Sequence, residues 1–391
     1  MTMRSLRGGV HAVAAGLLCI AVAFGAAPTA SAEDAPVSWE FDALGLSAAH
    51  ASTQGEGVTV AVLDSGINAD HPALAGRVDM VGPDFYNSDG LQAGDAEYGI
   101  HGTAMVSDVL KVAPKARIIA ARVTNDQQEE DGKLERTTDG VTPVAHGIDW
   151  AVENGADVIS MSLGGGLFAE FDGTEVAAAA RAVHKGVTLL AAAGNSGGSD
   201  EVNEGNFSAG YANVISVAAT QPGGGRAEFS TVRTHNTIAS PGVGIVSADK
   251  DGGYSPVDGT SPATALASGV TALMLAVNPD LTPAQTRAIL MSTADHPAGG
   301  HDALVGAGQI NAAEAVRAAG APPEIDTSAK AYTGDLENFG EPTGTPRGVQ
   351  APMETSMFTA GIGAVGVGLL LVMVGALLII RKPKASRNHG R

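Results

Sequence analysis

The sequence is short of three things: cysteine, aromatic residues and positive charge. Its one cysteine, Cys19, lies in an N-terminal stretch that reads as a removable leader. The exported chain is therefore expected to hold no disulfide and no reactive thiol, and its stability must come from the size of its core. Phe, Trp and Tyr together supply 4% of the residues, whereas glycine supplies 52 of 391. That balance suits a tightly turned α/β protein with many small core residues. Lys and Arg number 23 against 42 Asp and Glu, for a formal net charge of −19. Such a surface repels phosphate backbones, which excludes nucleic acid as a partner. Internal repeats are also missing.

What is present begins at the two ends. Residues 1–32 have the make-up of a signal peptide. Arg4 and Arg7 come first, then an apolar run from Ala12 to Ala27, then Ala30-Ser31-Ala32 as a small-residue cleavage site. Leu17-Leu18 precedes Cys19 where a lipoprotein signal needs a small residue, so no lipid anchor is read. Residues 358–380 carry no charge. At about 1.5 Å rise per residue they make a helix of roughly 35 Å, enough to span hydrocarbon. Arg381, Lys382, Lys384, Arg387 and Arg391 follow. The positive-inside rule then puts the 381–391 tail in the cytoplasm and everything before the span outside. The expected location is the cell membrane, with a single pass and an extracellular main domain. Setting aside the basic residues of leader and tail leaves 16 basic against 42 acidic residues, a formal charge of −26.

Between the ends, residues 33–56 form an extension too short for a separate domain. Residues 320–356 shift to Pro, Gly, Thr and Glu without apolar periodicity, as a flexible linker does. From 57 to 319 two patterns alternate. Short β-branched apolar runs occur at 58–64, 116–123, 157–163, 187–194 and 213–219. Helical stretches fill His101 to Val112, Val141 to Asn154 and Thr174 to Lys185. The alternation predicts an α/β domain whose parallel sheet is covered on both faces. Residues 261–277 are apolar almost all round and uncharged. That pattern marks a helix in the middle of a large domain.

Open parallel sheets place reactive groups at the carboxyl ends of their strands. Three segments meet that rule: "AVLDSG" ends a strand with Asp64, "HGTAM" opens a helix with His101, and "GTSPA" opens the buried helix with Ser261. A serine hydroxyl is a poor nucleophile until an imidazole takes its proton. The imidazole in turn needs an acid behind it to fix tautomer and orientation. The chain order Asp, His, Ser is that of one convergent version of this triad. A fourth segment, "AAAGNSG", ends a strand with Asn195, whose amide suits a developing oxyanion. Each signal alone has a plainer reading as a turn, a loop or a helix cap. His146-Gly147 repeats the His-Gly pair inside a helical stretch. Together, each at a strand end or helix start, the four point to acyl-transfer chemistry.

From about Gly55 to Ala319 the chain resembles the subtilisin-like (S8) serine peptidases nearly end to end. "GVTVAVLDSGINADHPAL" is similar to the family's aspartate segment, "HGTAM" to its histidine segment and "AAAGNSG" to its oxyanion segment. "GIDWAVENGADVISMSLGG", "YANVISVAAT", "SPGVGIVSA", "GTSPATALASG" and "GAGQINAAEAV" complete the series in family order. The resemblance implies a subtilisin-like three-layer fold with a mainly parallel central sheet over 57–319, plus one C-terminal transmembrane helix. It implies a serine endopeptidase with Asp64, His101, Ser261 and Asn195 as its catalytic residues. A peptide would pair strand-fashion with Ser162, Leu163 and Gly164. Ala192, Ala193 and Gly194 would line the pocket for the side chain before the scissile bond.

Signal peptide, catalytic domain, Pro-rich stalk and single span are together similar to the mycosins, a branch associated with type VII secretion. The partners so implied are a polypeptide substrate, the membrane and that secretion machinery, and the implied task is the processing of secreted proteins. A catalytically silent scaffold that binds peptides or a secretion complex is the alternative, and an exported esterase a third. The chain departs from the family at Ile100, where glycine is usual, at Ala265, where many members have proline, and at Pro262 directly after Ser261. It also lacks the disulfides that mycosins usually carry. Many family members bind calcium. The acidic stretch 124–139 and Asp84, Asp89 and Asp95 show no ligand spacing and read as solvated loops. No metal site and no cofactor is assigned.

Overall fold

A computed structural model of the chain describes residues 36, 38–126, 136–163, 172–198, 207–325 and 355–380. Nine strands and ten helices occur among them. The strands are β1 (Thr59–Asp64), β2 (Val78–Asp84), β3 (Arg117–Arg122), β4 (Val158–Met161), β5 (Thr188–Ala192), β6 (Ile215–Thr220), β7 (Asn236–Pro241), β8 (Ile245–Ala248) and β9 (Tyr254–Val257). The helices are α1 (Trp39–Ala43), α2 (Leu46–His50), α3 (Ile100–Val112), α4 (Pro143–Glu153), α5 (Gly173–His184), α6 (Phe207–Gly210), α7 (Thr260–Val277), α8 (Pro283–Ser292), α9 (Ala312–Ala319) and α10 (Thr355–Ile380).

Seven strands form one sheet in the order β2-β3-β1-β4-β5-β6-β7, and every pairing in it is parallel. The chain leaves β1 toward one edge, returns through β3, and crosses β1 to reach β4 on the other side. That reversal opens a crevice at the carboxyl end of β1, where doubly covered sheets bind ligands. Strands β8 and β9 pair separately as an antiparallel ribbon.

The strands read as continuous apolar runs because both faces are buried. Val60 and Val62 of β1, with Ile118 and Ala120 of β3, join the core under α3 and α7. Ala61 and Leu63, with Ile119 and Ala121, join the opposite core under α4 and α5. Helix α7 runs through the first core with its side chains buried from Thr260 to Leu275, apart from the half-buried Ser261. It is long and apolar enough to cross a membrane, yet 83% of it is buried inside the protein. Three of its hydroxyls are satisfied within the helix: Thr264 donates to Thr260 O at 2.8 Å, Ser268 to Thr264 O at 2.8 Å and Thr271 to Ala267 O at 3.0 Å. A methyl built on Gly269 would lie 2.6 Å from Val112 Cβ, so the glycine lets α3 and α7 approach closely.

The extension before β1 is helical and bound to the domain. Trp39 Nε1 donates to Val243 O at 2.8 Å, His50 meets Val112 O at 2.7 Å, and Ala312 N donates to Leu44 O at 2.8 Å. Glu40 of α1 is fully buried, with Lys111 Nζ 3.1 Å from its carboxylate. The same ammonium lies 3.4 Å from Asp108 and donates to Val246 O at 2.9 Å. Helix α10 covers residues 358–380 and is apolar, and its described side chains from Ile362 to Val374 are exposed.

Candidate active site

Most helices of the domain begin with a local cap. Thr142 accepts from Ala145 N, Asp172 from Thr174 N and Glu175 N, Thr282 forms a capping box with Gln285, and Asn311 accepts from Glu314 N. Helices α3 and α7 do not. Each starts from a glycine, Gly99 and Gly259, with no side-chain cap of its own. An α-helix leaves its first four N–H groups unpaired, and at these two helices remote side chains supply partners. His101 and Ser261 sit in those first turns.

Asp64 is the last residue of β1 and is 1% exposed. Its Oδ1 accepts from His101 Nδ1 at 2.8 Å and from Ser65 N at 2.7 Å. Its Oδ2 is buried and has no hydrogen-bond partner among the described residues. A buried carboxylate this poorly satisfied is costly unless a charged partner compensates. Gly102 allows the approach of α3 to β1, since a methyl there would lie 2.0 Å from Gly66 O. Ser65 Oγ accepts from Gly102 N at 3.1 Å and fastens the same turn.

The His101 side chain is 35% exposed. Burial of the rest of the ring opposes its charging. Asp64 favours the imidazolium through charge and hydrogen bond, and Asp126 and Asp108 add their charges, so the net displacement is upward from 6.5. An imidazole held on Nδ1 by a carboxylate presents Nε2 as the proton acceptor.

Ser261 is the second residue of α7, so its N–H belongs to the unpaired first turn. Its Oγ leans toward Ser162 O at 3.4 Å, and Ser162 Oγ donates to Ser261 O at 3.0 Å. No hydrogen bond joins Ser261 and His101 among the described residues. In unliganded sites of this type the nucleophile–base contact is often long and closes with substrate. Asn195 Oδ1 accepts from Thr260 N at 2.8 Å and from Thr260 Oγ1 at 2.9 Å, which caps α7. Its Nδ2 donates to no described residue. A methyl built on Gly259 would lie 3.5 Å from Ser261 N and 3.6 Å from Asn195 Nδ2. The two nitrogens therefore lie near one point beside Gly259.

The remaining candidates border this centre. Gly194 has a positive φ of 103° and donates to Thr260 Oγ1 at 3.1 Å. Ala192 is buried at the end of β5, and Leu163 is buried two residues beyond the end of β4. Ala193 packs its methyl against Ala218 and Ala239, and its N–H donates to Val217 O at 3.0 Å. Gly164 lies outside the described residues.

The acidic side chains beside β3 behave differently from the solvated loops expected of them. Arg122, the last residue of β3, has no exposed side-chain surface and binds Asp84 at 2.8 Å and Asp89 at 3.1 Å. Tyr86 and Tyr98 lie 5.3 Å and 4.9 Å from its guanidinium carbon, and its Nε donates to Ser65 O at 3.2 Å. The Arg122 guanidinium holds the Asp89 carboxyl below its usual range. No cluster of three metal-ligating side chains occurs among the described residues. Sequence reasoning missed Ser65, Asp126 and Thr260. Thr260 and Ser65 lie inside the quoted motifs, but Asp126 stands 25 residues from His101 with no local signal.

Residues 55–309 match the subtilase family. Over 266 residues the chain is 34% identical to subtilisin DY of Bacillus licheniformis, covering 66% of this chain and 90% of that one. The crystal structure of MycP1 from Mycobacterium smegmatis is similar at TM-score 0.58 and 28% identity, covering 73% of this chain and 85% of that one. A second MycP1 structure, described as from the ESX-1 type VII secretion system, is similar at TM-score 0.58 and 27% identity, covering 73% and 86%.

Proposed function

The chain belongs to the subtilase family of serine peptidases, and from that membership we propose an endopeptidase tethered to a membrane by α10, working through Asp64, His101, Ser261 and Asn195. The observation that carries the assignment of roles is the 2.8 Å bond between His101 Nδ1 and the buried Asp64 carboxylate.

In this reading Ser261 Oγ turns from Ser162 O toward His101 Nε2 and attacks the scissile carbonyl carbon. The hydroxyl proton passes to Nε2, and Asp64 stabilises the imidazolium that results. The carbonyl oxygen gains the charge and is received by Ser261 N–H and Asn195 Nδ2. His101 returns the proton to the leaving amine, which breaks the C–N bond and leaves an acyl-serine ester. Water deprotonated by the same nitrogen then hydrolyses that ester. The substrate backbone lies along Ser162, Leu163 and Gly164, with its side chain toward Ala192, Ala193 and Gly194.

The signal at 1–32, the extension at 33–56, the domain at 57–319, the linker at 320–356, the span at 358–380 and the tail at 381–391 together support an exported domain facing outward. Likeness to the MycP1 structures supports processing of secreted proteins beside a type VII machinery. The second reading, a peptide-binding scaffold without chemistry, draws on the absent Ser261–His101 bond.

One experiment separates them. The full chain in detergent is treated with a fluorophosphonate probe beside a Ser261→Ala variant. Labelling of wild type alone, with cleavage of peptide substrates, supports the peptidase. Equal labelling of both chains, or no labelling of either, overturns the role of Ser261.

A further inference from the structure

We propose that Asp126 is a positioning residue for His101, clamping the first two amides of α3 and so fixing where the ring stands. This inference rests on the peptidase reading above for its meaning, though not for its geometry.

The clamp is direct. Asp126 Oδ2 accepts from Ile100 N at 2.9 Å, and Oδ1 accepts from His101 N at 2.8 Å. One carboxylate thus takes the first two N–H groups of α3, the second being that of His101. Gly99 precedes the helix with φ at 74° and offers no side chain, so no local residue can do this work. The strand that delivers Asp126 is anchored nearby. Val123 N donates to Asp64 O at 2.8 Å, and Asn125 Nδ2 donates to Tyr86 OH at 3.0 Å. Asp126 therefore stands in a fixed relation to β1 and ties the start of α3 to the strand that carries Asp64. Asn195 does the corresponding work at α7, where its Oδ1 holds Thr260 N beside Ser261. Both first turns are set by remote side chains from the segments that follow β3 and β5.

The charge has its own effect. A carboxylate at a helix N-terminus complements the dipole. It also favours the imidazolium of His101. The other charged groups bearing on the ring are Asp64 from β1 and Asp108 from α3 itself, with Lys111 and Glu40 around the latter. Arg122 reaches the site only through Ser65 O. Removing the Asp126 charge lowers the pKa of the ring. Activity that needs neutral His101 is then retained to lower pH.

The test compares the full chain in detergent with Asp126→Asn, which keeps an acceptor but loses the charge, and Asp126→Ala, which loses both. Asp280→Asn, exposed beyond the far end of α7, controls for charge alone. The acid limb of kcat/KM should move to lower pH by roughly half a unit to one unit in both Asp126 variants. Asp126→Ala should also lower kcat by roughly 3- to 30-fold with KM changed less than about twofold. Titration of ring-labelled His101 by NMR in a Ser261→Ala background reads the same pKa without turnover. A wild-type chain that cleaves nothing would count against the peptidase reading, and the NMR shift would still decide the clamp. Asp126 variants that match Asp280→Asn in acid limb and ring titration overturn the proposal.

Discussion

Replacing Asp108 by Asn removes one of two carboxylates that share the single ammonium of Lys111 inside the protein. Lys111 lies 3.1 Å from Glu40 and 3.4 Å from Asp108, and all three side chains are buried. The two acids respond in opposite directions. Burial alone would raise Glu40, but Ser38 and Lys111 bring it below its usual range. Burial dominates at Asp108 and pushes it from 3.8 up to about 6, with Glu40 adding to the rise and Lys111 and the Ser247 hydroxyl opposing it. Lys111 is thus matched to Glu40, and Asp108 is the surplus charge. A displacement of about two units corresponds to about 3 kcal/mol.

The sign follows from proton uptake. The folded-state value lies above the unfolded one, so between pH 3.8 and about 6 the folded chain holds a proton that the unfolded chain has lost. The contribution of Asp108 to stability therefore falls as pH rises through that window and stays level above it. Asparagine has no such dependence and can still accept from Ser247. The stability of Asp108→Asn minus that of the parent should grow by up to about 3 kcal/mol from pH 4 to pH 7, then stay flat. Urea unfolding of both chains in a Ser261→Ala background, which prevents self-digestion, measures that difference at each pH. A difference that is constant, or that shrinks as pH rises, would refute the claim that Asp108 is the unmatched charge.

Asn195→Ala should lower kcat by roughly 10²- to 10³-fold, with KM little changed, in steady-state peptide hydrolysis. Because Asn195 also caps α7, the same variant should unfold at a temperature a few degrees below the parent. The raised pKa of His101 places the acid limb of wild-type kcat/KM above pH 6.5, with activity lost as pH falls through it. A pH–rate profile with its midpoint below that value would contradict the charge arrangement around the ring. Gly102→Ala puts a methyl 2.0 Å from Gly66 O. Overpacking of that kind costs about 3 kcal/mol and should lower the thermal midpoint by roughly 6–12 °C, read by calorimetry.

Much of this fold was legible where both neighbours and faces of an element are apolar. The run "VTVAVLD" announced β1 and the position of Asp64 at its end, because a strand buried on two sides cannot hide its composition. The uncharged stretch at 261–277 announced a central helix, and α7 occupies Thr260–Val277. Strand β2 was not read, since its exposed Met80 and Val81 and its Gly82-Pro83 pair suit an edge position and break the apolar signal. Strands β8 and β9 were missed for a related reason: β9 is interrupted by Pro256 and not fully buried, and its partner β8 is four residues long. The extension at 33–56 gave no sign of α1 and α2, which are helices because the domain binds them. Within the site, the four motif residues were visible because their neighbours in sequence are small and turn-forming. Asp126, Ser65 and Arg122 were not, because their roles arise from contacts with segments distant in sequence. Asp84 and Asp89 looked like loop charges only because their partner, Arg122, sits at the end of another strand.

The remote capping of α3 and α7 has a consequence for when activity can appear. Each reactive group is held by a side chain from a separate part of the chain, so no fragment of the sequence contains a working centre. For a serine endopeptidase this means that a partly folded chain is harmless to itself and to its neighbours. Hydrolytic power arrives only with the final docking of sheet and helices, and it should vanish at the first loosening of that docking, before bulk helix content is lost.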